Sequence, residues 1–248
     1  MLKIIGNFVS PFVRKVLAIC EIKGLIYEID PIVPFQGNDR FSELSPLRRI
    51  PVLVDGPAVI NDSSVICEYL EEKWPAVHVL PRDPVARAEA RFLDEFADSR
   101  LADVVIWKIF APAVVAPAIF GSERNLAAIE KAVTEELPGA MDFIERRAPT
   151  TGFLFGPTPG LADVSIASHF ANLRWARQRL DQARWPRGSA WIERVSQSAP
   201  LGQLNTIAEK LLRVPPEERR PVLEALGVKV SSGSVGTSAP RRGPMTVI

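Results

Sequence analysis

The sequence predicts an α+β domain followed by an all-α domain, because the spacing of apolar residues differs between the two parts of the chain. Strand and helix signals alternate over residues 1–77, whereas apolar positions recur only at helical spacing over residues 85–228. A proline-containing stretch at 78–84 reads as the linker between them. The segment 229–248 is rich in Ser, Gly and Pro, which predicts a disordered tail.

The first domain is expected to hold a four-stranded mixed sheet. LKIIG and LIYEI are strand candidates on either side of an amphipathic helix, a pattern that predicts a right-handed βαβ unit. IPVLV and PAVI come next, joined at Asp55-Gly56, which is a strong hairpin signal. NDSSVICEYLEEKW then predicts a second helix. The order βαβ and then ββα places helices against one sheet.

The second domain is predicted to be helical throughout. Residues 85–109 have the pattern of one long helix, and Pro112 and Pro117 are expected to end or bend the helix beyond residue 109, since proline removes an amide donor. Ser122 is expected to cap the next helix, and Pro138 to break it. Further helical segments lie beyond Pro138, and no strand signal is found among them.

Composition excludes several classes of function. The chain carries 30 Lys and Arg against 29 Asp and Glu, which argues against a general nucleic-acid binder. Two histidines are too few for a His-based metal site, and Cys20 and Cys67 have no metal or redox spacing. The longest apolar run contains Lys108 and prolines, so it is a poor membrane span. Because a strand signal begins at Leu2, no signal peptide is expected. A soluble, cytoplasmic protein without a metal is expected.

Ser10 stands where the first strand turns into the first helix, followed directly by Pro11. Ser at the N-cap and Pro at the first helical position are ordinary helix starts. The same geometry offers free amides and the positive end of a helix dipole, which stabilise an anion such as a thiolate. The pattern alone leaves both interpretations open.

Two further segments carry the same ambiguity. Ile50-Pro51 is either an edge strand that begins at a proline or a cis-proline turn that presents the Ile50 backbone to an extended ligand. Asp62-Ser63 is either a plain helix cap or a clamp for an α-amino and an α-carboxylate group.

Taken together, SPFVRKVLAICEIKGLIYE, SPLRRIPVLVDG and INDSSVICEYLEEKWP resemble the N-terminal half of a serine-type cytosolic glutathione S-transferase of the tau or zeta kind. The resemblance extends over about residues 2–200 in the order of elements. It implies a thioredoxin-like domain that binds glutathione and a helical domain that supplies the acceptor pocket. In PGLADVSIAS it also implies a buried capping motif, with Asp163 present but Gly160 at the cap position.

The resemblance implies roles for individual residues. Ser10 corresponds to the residue that activates the thiol, and Pro51 to the cis-proline, so that Ile50 pairs with the cysteinyl backbone. Asp62 and Ser63 correspond to the γ-glutamyl site. Gln36 and Arg49 correspond to polar or basic residues near the glycyl carboxylate, and Phe12, Trp107 and Phe110 are candidates for the acceptor pocket.

The function that the resemblance implies is conjugation of glutathione to a small apolar electrophile by a homodimer, with glutathione as co-substrate and no other cofactor. A glutathione-dependent isomerase, dehalogenase or peroxidase would use the same thiolate. A non-catalytic binding or regulatory relative is the alternative from another class. Cysteine-type relatives carry Cys where this chain has Ser10, so Cys20 is expected to be an inert core thiol.

Overall fold

The computed structural model describes residues 1–244, which form two compact units. The first comprises Met1–Val77 together with residues 202–244. The second comprises His78–Leu201. The helical unit thus ends at Leu201 and not at the predicted residue 228, and the chain beyond it reaches the sheet of the first unit at Lys229 and Ser231.

The first unit contains the predicted four-stranded mixed sheet. Its strand order is β2-β1-β3-β4, in which β1 runs parallel to β2 and antiparallel to β3, and β3 and β4 form the predicted hairpin. The thioredoxin-like expectation is therefore confirmed. The strands are β1 Leu2–Ile5, β2 Tyr27–Asp30, β3 Val52–Asp55 and β4 Ala58–Asn61.

The register of this sheet brings distant parts of the sequence to one end. Ile5 lies opposite Asp30 on one side and opposite Val52 on the other, and Val52 lies opposite Asn61. The segments that leave β1, enter β3 and leave β4 therefore emerge together.

The helices of this unit are α1 Pro11–Ile22, α2 Asp39–Leu44 and α3 Ser63–Lys73, preceded in the case of α2 by a 3-10 turn at Pro34–Gln36.

Gly6 allows α1 to pack closely behind β1. Its φ of 149° is rarely adopted by residues with a side chain. A Cβ at this position would lie 2.6 Å from Cγ2 of Val13 and 3.3 Å from Cβ of Ile50. The absence of a side chain thus lets the turn after β1, the start of α1 and the turn before β3 meet.

The second unit is helical, but its first helix passes both prolines. α4, Pro84–Phe96, continues as π-helix over Ala97–Val115 and then as α5, Ala116–Phe120. Of the two expected effects, an end or a bend, an end at Pro112 or Pro117 is therefore wrong. In π-helical turns each amide bonds the carbonyl five residues back, as Ala116 does with Ala111. These wider turns accommodate the proline ring and the missing donor.

This continuous helix of 37 residues is long and apolar enough to cross a membrane by length and composition. In the structure it packs against α8, Leu161–Trp175, and carries a run of fully buried residues, including Leu101, Val104 and Val105. The fold therefore uses it as the central helix of the helical unit.

Two other helix boundaries also differ from expectation. Asn125 rather than Ser122 caps α6, its Oδ1 accepting from the Ala128 amide at 3.0 Å. Pro138 lies in the first turn of α7, where proline is favoured, and does not break a helix. The remaining helices are α6 Leu126–Lys131, α7 Leu137–Arg147, α8 Leu161–Trp175, α9 Pro186–Ser196, α10 Ala199–Leu211 and α11 Arg219–Ala225, with a π-helical stretch at Ala132–Glu136 between α6 and α7.

Asp163 stabilises the start of α8 from a fully buried position. Its carboxylate accepts from the amides of Gly160 and Leu154 at 3.0 and 2.9 Å, and from Nε1 of Trp191 at 3.0 Å. Burial raises the pKa of this carboxyl above its ordinary range. The N-cap of α8 is Gly160. A Cβ at this position would lie only 2.9 Å from the carbonyl oxygen of Val79, so there is no room for a side chain.

The segment after α11 is ordered against the sheet over its described part. Ile29 of β2 donates to the Lys229 carbonyl and accepts from the Ser231 amide, both at 2.9 Å. The prediction of a disordered tail is therefore wrong for residues 229–244. Hydrogen bonds of the backbone hold this segment, and such bonds do not require the apolar side chains that the segment lacks. Residues 245–248 lie outside the described part.

A buried ion pair joins α1 to α3. Lys23 Nζ lies 2.7 Å from Glu71 Oε2 and also donates to the carbonyls of Trp74 and Val77, at 3.0 and 2.5 Å. Both side chains are almost fully buried. Lys23 therefore closes the C-terminal end of α3 while it neutralises a buried carboxylate.

We expect Lys23→Met to lower the free energy of unfolding by about 3–5 kcal/mol, because it removes one partner of a buried pair. Lys73→Met is the matched control. Lys73 pairs with Asp55 at 2.5 Å, but its side chain is 45% exposed, so a loss below about 1 kcal/mol is expected. Urea denaturation measures both values, and equal losses would contradict the assignment.

Gly160→Ser should destabilise the helical unit by about 1–3 kcal/mol, although serine is a better N-cap than glycine, because the new Cβ overlaps the Val79 carbonyl. Gly139→Ser in α7 is the control, since a Cβ at Gly139 meets nothing within 4 Å. The control should be neutral or slightly stabilising in thermal unfolding. A more stable Gly160→Ser protein would show that the close approach is unimportant.

Candidate active site

Ser10 is the N-cap of α1. Its Oγ accepts a long hydrogen bond of 3.4 Å from the Val13 amide, and its side chain is half-buried. Within residues 1–244 the Ser10 hydroxyl donates to no acceptor. The cap interpretation is therefore confirmed, and the hydroxyl proton is still available to an anion at this helix end.

Two residues that the motifs did not point to hold the turn before Ser10. Fully buried Arg14 donates from Nη1 to the carbonyls of Phe8 and Val9, at 2.7 and 2.9 Å. Asn7 accepts from the Val9 amide at 2.9 Å through Oδ1. A charged residue on an otherwise apolar helix face was the only signal in the sequence for Arg14.

The Ile50-Pro51 peptide bond is cis, as the second interpretation of this segment predicted. Ile50 is buried beside Gly6, and Val52 begins β3 directly opposite Ile5. The backbone of Ile50 thus lies at the same end of the sheet as the turn that carries Ser10.

Asp62 and Ser63 start α3 at this end as well. Asp62 has a φ of 76° and caps the helix, with Oδ1 accepting from the amides of Ser64 and Val65 at 2.9 and 3.3 Å. Its side chain is exposed, and Oδ2 has no hydrogen-bond partner in the part of the chain that the structure describes. Ser63 is buried as the first residue of the helix. The positive φ of Asp62 thus accompanies a carboxylate placed beside the N-terminus of α3.

Lys15 connects this helix start to α1. Its side chain is almost fully buried, and Nζ lies 3.1 Å from Oγ of Ser64. The ammonium group therefore reinforces the positive potential at the N-terminus of α3. Like Arg14, Lys15 appears in the sequence only as a charge among apolar helix positions.

Arg48 links the two loops that hold Gln36 and Arg49. It has a φ of 50° and donates from Nη2 to the Gly37 carbonyl at 2.7 Å and from Nη1 to Ser42 Oγ at 2.5 Å. Gln36 is half-buried and Arg49 is exposed. The structure thus connects the loops of the two residues expected near a glycyl carboxylate.

Matches to known families agree with this geometry. Residues 6–78 match the model for the glutathione S-transferase N-terminal domain, and residues 113–194 match that for its C-terminal domain. A probable glutathione S-transferase, GSTU6, of Oryza sativa subsp. japonica is 31% identical over 231 residues, which cover 85% of this chain and 91% of the relative. The chain belongs to the glutathione S-transferase family.

Solved structures of this transferase family share the fold. The tau-class enzyme MiGSTU from mango, Mangifera indica, is 22% identical with a TM-score of 0.68, covering 86% of this chain and 96% of that one. A bacterial maleyl pyruvate isomerase, described as a zeta-class glutathione S-transferase, is 23% identical with a TM-score of 0.67, covering 82% and 95%. These structures show that the fold is shared, and the expected resemblance to the glutathione S-transferase family is confirmed.

Both cysteines of this transferase lie in the core of the first unit. Cys20 and Cys67 are free and buried. Burial raises the pKa of the Cys20 thiol to about 12. Cys20 is thus an inert core thiol, as expected.

The three candidates for the acceptor pocket fall in different units. Phe12 is half-buried in the first unit, whereas Trp107 and Phe110 lie in the π-helical stretch of the second. Phe110 is 3% exposed, with its ring centroid 6.5 Å from that of Trp175, so it serves the helical core. A pocket made by these residues stays a prediction.

Asp62→Gly is expected to keep the free energy of unfolding within about 1 kcal/mol of the wild type, because glycine adopts positive φ freely and is tolerated as an N-cap. Asp62→Ala should cost about 1–3 kcal/mol, since it removes the cap and keeps the strain. Guanidinium denaturation of both proteins checks the order. An alanine protein as stable as the glycine one would contradict the strain argument.

Proposed function

We propose that this transferase binds glutathione at the sheet end defined above and transfers its thiolate to a small hydrophobic electrophile. The observation that carries the proposal is the Ser10 hydroxyl, which caps α1 and donates to nothing within residues 1–244. A free thiol has a pKa of about 8.5, so few thiols are ionised at neutral pH without help.

Ser10 would supply that help in two ways. Its hydroxyl donates a hydrogen bond to the sulfur, and the N-terminus of α1 adds the positive end of its dipole. Both stabilise the thiolate and not the thiol, so the pKa of the bound thiol falls. The thiolate sulfur then attacks the electrophilic carbon, and the leaving group or the opened bond takes the electron pair.

Glutathione would lie across the three segments at this sheet end. The Ile50 backbone beside Pro51 pairs with the cysteinyl residue of glutathione. Asp62 Oδ2 accepts from the γ-glutamyl ammonium, while the amide and hydroxyl of Ser63 donate to its carboxylate. Lys15 adds positive charge behind this carboxylate through Ser64.

At the other end, Gln36 and Arg49 would contact the glycyl carboxylate. The Arg48 bridge between their loops supports this arrangement, because it fixes the segments that carry both side chains. The ligand would thus be held at both ends, with its sulfur at Ser10.

We also propose that the enzyme works as a cytoplasmic homodimer and needs no cofactor besides glutathione as co-substrate. Among the described residues, no group of three His, Cys, Asp or Glu side chains is arranged to hold a metal ion.

A panel of halogenated, epoxide, peroxide and maleyl compounds separates conjugation from isomerase, dehalogenase or peroxidase activity. Glutathione binding with no turnover of any of them would indicate a binding protein.

Ser10→Ala is expected to raise the pKa of the bound glutathione thiol by about one to two units, since a hydrogen bond to a charged acceptor contributes about 1.5–3 kcal/mol. At pH 7 the thiolate fraction, and with it kcat/KM, should fall by about 8- to 25-fold if the pKa returns to about 8.5, the value for a free thiol. The loss should shrink as the pH rises through the new pKa. Ultraviolet absorbance of the thiolate against pH measures the shift directly.

Ser10→Thr is the matched control, because it retains a hydroxyl on the same atom. It should keep most of the lowered pKa. Retention on immobilised glutathione shows whether each variant still binds. Unchanged turnover of the electrophile panel by Ser10→Ala would overturn the activating role of this residue.

A further inference from the structure

The segment 228–241, here called the strap, is joined to the outer edge of the sheet. It runs parallel to β2 at Val230, opposite Ile29. β2 is the edge strand, so the strap covers backbone groups that would otherwise be unpaired. No apolar pattern is needed for this contact, which is made by main-chain hydrogen bonds.

Asp30 anchors the strap at the end of the sheet that carries the active site. This side chain is fully buried at the last position of β2, opposite Ile5. Its Oδ1 accepts from Ser234 Oγ at 2.8 Å and from Arg220 Nη1 at 3.2 Å, and its Oδ2 accepts from the Val235 amide at 2.8 Å. A buried carboxylate with three donors fixes where the strap turns.

Beyond this anchor the strap crosses the segment that contains Gln36. The Thr237 amide donates to the Gln36 carbonyl at 2.7 Å. The Asn38 amide donates to the Val235 carbonyl at 2.8 Å, and Gly236 pairs with Gly37 between these bonds. Three successive residues of the loop are thus held by the strap.

The strap also brings positive charge to this loop. The backbone amide of Arg241 donates to the Phe35 carbonyl at 2.6 Å. Nη1 of the Arg241 guanidinium lies 2.5 Å from Asp39 Oδ1. The charge of Arg241 is close enough to Arg48 to contribute to the lowered pKa of that guanidinium, for which burial is the larger cause. The strap contains Lys229 and Arg241 and no acidic residue.

We propose that the strap is part of the glutathione site, where it positions Gln36 and, through Arg241, sets the affinity for the glycyl carboxylate. This inference rests on the proposed function. Thr237 acts through the Gln36 backbone and is a positioning residue. Arg241 neutralises the Asp39 carboxylate, which would otherwise repel an anion, and holds the loop through the same contact.

The test compares Thr237→Pro with Ser238→Pro. The first removes the amide that bonds Gln36, whereas the Ser238 amide donates no hydrogen bond within the described residues. The probes are glutathione and its glycyl ethyl ester, which lacks the glycyl charge. Kd values come from quenching of tryptophan fluorescence, and kcat and KM from turnover of a chosen electrophile.

Thr237→Pro should weaken glutathione binding by about three- to ten-fold and binding of the ester by less than about two-fold. KM for glutathione should rise in parallel, with kcat at saturation within about two-fold of the wild type. Ser238→Pro should match the wild type. A folded Thr237→Pro protein with unchanged affinity, or with equal losses for both compounds, overturns the proposal.

Arg241→Ala provides a second route if Thr237→Pro does not fold, as judged by circular dichroism. It should reduce the preference for glutathione over the ester by about two- to five-fold at low salt, and Arg241→Lys should restore most of it. An unchanged preference in Arg241→Ala overturns the proposal. Failure of the wild type to bind either compound would instead overturn the proposed function.

Discussion

The active site depends on the backbone register of the four-stranded sheet. Ile5, Val52 and Asn61 lie side by side, so the segments that hold Ser10, Ile50 and Asp62 must emerge together. A shift of one residue in any pair would turn the strand over and separate the three segments. The apolar face of the sheet, which fixes this register by burial, is therefore also what assembles a polar site.

Short-range patterns were sufficient to predict these parts of the molecule. The strand alternation, the turn at Asp55-Gly56 and the capping residues Ser10 and Asp62 each depend on neighbours a few positions away. The order of elements then indicated the family. Gln36 was placed only through the resemblance, because no local pattern specifies a loop that tertiary contacts hold.

The features that the sequence did not predict depend on long-range contacts. Arg14 and Lys15 are buried charges, and their partners become visible only when α1 lies against its neighbours. The strap has the composition of a disordered segment, since Ser and Gly offer little apolar area. It is ordered by main-chain hydrogen bonds to Ile29 and by hydrogen bonds to the Asp30 carboxylate, and neither contact can be predicted from amino-acid composition.

The covered edge of β2 has a consequence for how the polypeptide is made. Residues 1–77 leave the ribosome before the helical unit, whereas the groups that pair with Ile29 emerge only after that unit has been synthesised. In that interval the nascent sheet exposes an open edge, which is the kind of surface that recruits other strands. Chaperone demand during synthesis should therefore peak between the appearance of β2 and the arrival of the strap.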